Sequence, residues 1–149
     1  MFSVLLIVGV ATLCLIIVIW NKRRKNRQDV EQHSITPEAL HSLLASKQAL
    51  LLYDVRRPLD LLAHSEIIPG ALRLSPQEFR ENSVGLSREK DYVLYCTCPS
   101  DETSLKVLQE ARALGFDRIK VLKGGLAGWK GKGYPVEPYK KSFHLETAT

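Results

Sequence analysis

Cys96 and Cys98 stand one residue apart in "VLYCTCPSDETSLKVLQ" (residues 93–109), between an apolar run and a segment with helical spacing. Thiols so placed can serve as a nucleophile, a metal clip, a redox couple or core packing. In open α/β sheets, ligands bind outside the carboxyl ends of the strands, and Cys96 falls at the end of such a run. Thr97, Cys98, Pro99, Ser100, Asp101, Glu102, Thr103 and Ser104 then lead into the helix. Amides converging in a loop of this kind, with the helix dipole behind them, stabilise a thiolate and lower its pKa. A cysteine can thereby act as a nucleophile without a histidine base. The competing reading is packing, because cysteine is among the most buried residue types.

Metal binding is the weaker alternative. Two thiolates spaced C-x-C could hold a soft ion, but a tetrahedral zinc site needs four ligands and there is no second cysteine pair. His33, His41, His64 and His144 are scattered through tether, helix, loop and tail. Neither a metal nor a cofactor is expected.

The elements that must position the pair follow from the pattern around it. "ALLLYDV" (49–55) is a short apolar run ending in a polar residue, which suits a strand buried on both faces of a parallel sheet; "YVLYC" (92–96) and "IKVL" (119–122) repeat the type, and "ALRL" (71–74) is a weaker match. Thr36 and Pro37 open one helix, and Ser75 and Pro76 open another, each by a cap followed by a proline at the first helical position. In "TSLKVLQEARALGF" (103–116), Leu105, Leu108, Ala111 and Leu114 line one face, and Gly115 stands where a left-handed terminal residue belongs. Strands alternating with helices predict a small α/β domain with a mostly parallel central sheet flanked by helices.

Ahead of that domain, residues 2–20, "FSVLLIVGVATLCLIIVIW", carry no charge and no proline. At ~1.5 Å rise per residue they nearly cover the ~30 Å hydrocarbon core of a bilayer, so they read as a transmembrane anchor, with Cys14 as filler. A cleaved signal peptide fits less well, because no basic region precedes the run and no small-residue cleavage site follows it. Lys22, Arg23, Arg24, Lys25 and Arg27 follow directly, and the positive-inside bias predicts an N-terminus outside and a cytoplasmic domain. These five residues equal the formal net charge of +5. The basic balance therefore describes a membrane flank and gives no support to nucleic-acid binding. The expected divisions are an anchor over 2–20, a basic and polar tether over 21–33, a domain over 34–138 and a polar tail over 139–149. A cytosolic domain keeps Cys96 and Cys98 reduced at rest.

Three stretches resemble the rhodanese family. "LLYDVRRPLDLLAHSEIIPGALRLS" (51–75) is similar to its strand, Asp-Val-Arg, variable segment and Pro-Gly-Ala. "VLYC" (93–96) resembles the active-cysteine strand, and "ALGFDRIKVLKGGLAGWKGKGYPVE" (113–137) the closing Gly-Phe, strand, Gly-Gly, Trp and Gly-Tyr-Pro. The resemblance implies a single rhodanese-like domain whose cysteine accepts a sulfane sulfur as a persulfide and hands it to a thiol or cyanide. It implies a sulfur donor and a thiol acceptor, small molecule or protein, as partners. Asp54, Arg56, Gly124 and Gly125 become supporting residues; Trp129 reads as packing.

The sequence departs from the family pattern at the loop. Counted from Cys96 the loop is two residues longer than usual, whereas counted from Cys98 the distance to "LGF" is the usual one. The persulfide is assigned to Cys96, with Cys98 as resolving or alternative nucleophile. Asp101 and Glu102 stand where a cation is common, which predicts weak thiosulfate turnover. The histidine usual before Ile-Pro-Gly is absent, since Glu66 and Ile67 precede Ile68. The rival functions are an inactive rhodanese-like binding module tethered to the membrane and, behind it, a thiol-based phosphatase or arsenate reductase.

Overall fold

The computed structural model describes residues 2–97 and 100–140, and only the backbone of residues 2–8, 25–27 and 29. The chain divides into two compact units at the step from His33 to Ser34. The first is helix α1 (Phe2–Gln32). It runs through residues 26–32 of the expected tether; Arg, Gln and Glu are good helix formers, and that stretch has no Gly or Pro to break a helix.

The transmembrane anchor expected at residues 2–20 gains no support from this unit. Among the described residues no helix is long and apolar enough to cross a membrane.

The second unit is the α/β domain. Its strands are β1 (Ser34–Ile35), β2 (Leu50–Asp54), β3 (Glu66–Ile67), β4 (Leu72–Arg73), β5 (Asp91–Tyr95), β6 (Ile119–Leu122) and β7 (Glu137–Pro138). The helices between them are α2 (Pro37–Ala45), α3 (Pro58–Ala63), α4 (Pro76–Asn82), α5 (Glu102–Ala113) and α6 (Gly125–Gly131). Five strands form one parallel sheet in the order β1-β6-β5-β2-β4, with Asp54 level with Tyr95 and Leu94 level with Val121. β3 and β7 pair antiparallel, and the Tyr139 N–H donates to the Ser65 carbonyl at 2.7 Å beyond them.

Local chemistry accounts for the helix ends. The Thr36 hydroxyl accepts from the Ala39 N–H at 3.3 Å, with Pro37 at the first helical position of α2. α4 has a full capping box: the Ser75 hydroxyl accepts from the Glu78 N–H at 3.2 Å, and the Glu78 carboxylate accepts from the Ser75 N–H at 2.6 Å. α5 ends in a Schellman turn, with Gly115 at φ +85°, its N–H donating to Arg112 and the Phe116 N–H to Ala111.

The central strands are covered on both faces, as their unbroken apolar runs require. Tyr53, Leu94 and Val121 pack with Val107, Leu108 and Ala111 of α5. Leu52, Val93 and Tyr95 pack on the opposite side with Leu40, Leu126 and Trp129. Trp129 is fully buried, and its indole N–H donates to the Pro135 carbonyl at 2.8 Å.

Candidate active site

The carboxyl end of β5 meets the N-terminus of α5 across the short loop that follows Tyr95. Cys96 is the first residue beyond the strand, not its last, and is 1% exposed. It shares a core with Val55, Val107 and Leu108, so α5 covers it from one side. Thr97 is half-buried and Ser100 exposed. Cys98 and Pro99 lie outside the described residues.

A third segment completes the arrangement. Gly124 and Gly125 both have left-handed backbones, at φ +71° and +52°, and turn the chain from β6 into α6. The Leu126 N–H donates to the Cys96 carbonyl at 2.8 Å. A methyl group on Gly125 would overlap that carbonyl oxygen, so glycine is required by close approach as well as by φ. Gly124 donates its N–H to Asp101 Oδ2 at 2.8 Å.

Asp101 therefore does not project into solvent as a repelling charge. Its carboxyl is raised above the usual range by burial, opposed by the Gly124 N–H. Glu102 is exposed, Thr103 half-buried and Ser104 fully buried. The Ser104 hydroxyl has no hydrogen-bond partner among the described residues. The structure thus gathers Cys96, Asp101, Gly124 and Gly125.

Asp54 and Arg56 are held apart from this group. The β2 alternation turns Asp54 toward the Tyr95 side of the sheet, where the Tyr95 hydroxyl donates to Asp54 Oδ2 at 3.3 Å and accepts from the Ile68 N–H at 3.2 Å. Arg56 is 0% exposed. Its Nε donates to both Asp54 oxygens at 2.8 and 2.9 Å, and Nη2 pairs with Oδ2. The remaining donors reach the His64 carbonyl at 2.6 Å and the Glu66 carbonyl at 2.8 Å. Burial works to lower the guanidinium pKa, but the Asp54 hydrogen bond and charge outweigh it and raise the group. Arg56 is an internal staple that pins the segment before Ile68. Burial, with the Asp54 charge, also pushes the Tyr95 hydroxyl upward.

An open groove of about 1760 Å³ runs beside the N-terminus of α5, past Glu102, Thr103 and Lys106 to Arg57 and Arg73. Cys96 is not among the residues that line it. Its cations, Arg57 ahead of α3, Arg73 on β4, Arg80 on α4, Lys106 on α5 and Lys140 after β7, were missed from sequence because they come from separate parts of the chain; only Lys106, one helical turn after Glu102, had a local signal. Tyr95 and the Leu126 amide were missed as well, since neither residue type marks chemistry by itself. Among the described residues no cluster of three metal-ligating side chains occurs.

The sheet order, the cysteine after the central strand and the double-glycine turn behind it define a rhodanese-type α/β domain. The rhodanese-like domain profile matches residues 36–132, and the chain belongs to that family. It is 33% identical over 109 residues to an uncharacterized protein from Synechocystis, covering 73% of this chain and 58% of that one. A sulfurtransferase from Allochromatium vinosum is 28% identical over 104 residues, covering 70% and 94%. The crystal structure of a rhodanese-related protein from Thermoplasma volcanium superposes with a TM-score of 0.59 at 28% identity, covering 70% of this chain and 97% of that one.

Proposed function

We propose that the domain is a sulfurtransferase that carries sulfane sulfur on a loop cysteine. The observation that carries this reading is the position of Cys96, one residue past the central parallel strand, with its loop leading to the N-terminus of α5. In the first half-reaction a cysteine thiolate attacks the terminal sulfur of a donor persulfide; the donor's S–S bond breaks, and the donor leaves as a thiolate. The acceptor thiolate then attacks the outer sulfur of the enzyme persulfide and releases the enzyme thiolate, so no net oxidant is consumed. The Allochromatium relative named a sulfurtransferase supports the assignment.

Cys96 is proposed as carrier and Cys98 as its resolving partner. In that role Cys98 attacks the inner sulfur of the Cys96 persulfide, expels hydrosulfide, and leaves a C-x-C disulfide that two equivalents of thiol reduce. One observation favours exchanging the two: Cys96 is buried among apolar side chains, where thiols are commonly inert. Cys98, counted to "LGF", keeps the family spacing.

Mass spectrometry of the protein after incubation with persulfide donors tests both points. Cys96→Ser should abolish the +32 Da adduct of one added sulfur (about that mass), while Cys98→Ser should still load and hold the sulfur longer. The reverse pattern transfers the carrier role to Cys98. Loading by neither thiol in the wild type would support the inactive binding module, and turnover of an aryl phosphate would support the oxyanion enzyme.

The cytoplasmic, membrane-tethered location is part of the same proposal. Its support is the sequence alone: the charge-free run over residues 2–20 and the five basic residues after it.

A further inference from the structure

One turn holds both ends of the cysteine loop. The Leu126 N–H fixes the near end at the Cys96 carbonyl, and the Gly124 N–H fixes the far end at Asp101 Oδ2, each at 2.8 Å. Between them, Gly125 lies so close that a methyl group there would overlap the Cys96 carbonyl and come within 3.4 Å of Asp101 Oδ1.

Asp101 departs from what its position in α5 calls for. It occupies the N-cap, where an aspartate ordinarily accepts from the first-turn amides, yet its side chain makes no capping bond. Its backbone is left-handed, at φ 54° and ψ 20°, a conformation that costs a non-glycine residue strain. Oδ1 is buried and has no hydrogen-bond partner among the described residues. The side chain thus turns from the helix it starts toward the glycine turn, and a residue chosen only to begin α5 would do the opposite.

We propose that Asp101 is a positioning residue: its carboxylate clips the start of α5 to Gly124, so that the Gly124–Leu126 turn sets the distance between Cys96 and the N-terminus of α5. What the loop is for rests on the sulfur-transfer reading. The clip itself does not.

The test uses the full chain and three readouts: amide exchange at Gly124, iodoacetamide alkylation of Cys96 mapped by mass spectrometry, and steady-state transfer of sulfur from glutathione persulfide to cyanide as acceptor. Asp101→Ala should speed exchange and alkylation by about tenfold or more and lower kcat for transfer by about tenfold, with KM for the donor changed less than about twofold. Asp101→Asn keeps the acceptor and tolerates the left-handed backbone, so it should bring all three to within about threefold of wild type. Asp101→Gly relieves the strain without restoring the acceptor and should behave like Asp101→Ala; wild-type behaviour there overturns the clip. So does a Gly124 amide that exchanges in the wild type like an open one, a result that needs no variant to fold. A wild type that loads no sulfur while exchange and alkylation respond as stated would count against sulfur transfer and in favour of the clip.

Discussion

Arg56 and Asp101 are both charged residues singled out in the sequence as belonging to the site, and both turn inward. The Asp-Val-Arg pattern was legible from sequence; that Arg56 would be consumed by Asp54 and two backbone carbonyls was not, because those carbonyls lie 8 and 10 residues along the chain. Asp101 was legible as a charge near the thiols. Its inward turn was not, since the Gly124 partner is 23 residues away. The burial of Arg56 gives a prediction at this scale. Arg56→Met leaves the Asp54 carboxylate buried with its cation gone, and losing one partner of a buried pair costs about 3–5 kcal/mol. Urea unfolding should show a loss of that order, and a loss below about 1 kcal/mol would mean that Asp54 finds water once Arg56 is removed.

At the scale of elements, signals contained within a few residues were readable. β6 falls on the mainly apolar "IKVL", and α2 and α4 start at the cap–proline pairs, because each cap is local chemistry. β1, β3 and β7 have two residues each and no periodicity to detect; they exist because a partner strand is there to pair with. α6 was missed for a different reason: "GLAGWKG" is glycine-rich and a poor helix by propensity, and burial of Leu126 and Trp129 holds it in place. The Ser75 capping box offers a test of how far a local device contributes. Ser75→Ala removes the acceptor for Glu78 N–H and should destabilise the domain by about 1 kcal/mol, read as a lower denaturant midpoint at unchanged m-value. A reduced m-value instead would mean that α4 itself had frayed.

For the whole molecule, the division at His33–Ser34 separates a unit with no buried cluster among the described residues from one with a core on each face of its sheet. The sequence boundary at 33/34 was readable because apolar, basic and polar stretches follow one another there. The helical continuity of the polar stretch was not, since propensity without an apolar stripe leaves helix and coil close in free energy. In α1 every residue from Gly9 to Trp20 is exposed, Leu13, Leu15, Ile16, Val18 and Trp20 among them. So much apolar surface left in water is unfavourable, at roughly 25 cal/mol per Å², and it calls for a cover. If a bilayer supplies that cover, the chain should stay with membranes through alkaline carbonate extraction, and deleting residues 2–20 should release it. With the N-terminus outside, protease added to intact cells should leave residues 34–140 uncut, and lysis should expose them. Recovery of the full chain in the soluble fraction would remove the anchor and make a protein surface the cover for α1; digestion in intact cells would reverse the orientation and put the cysteine loop in an oxidising compartment.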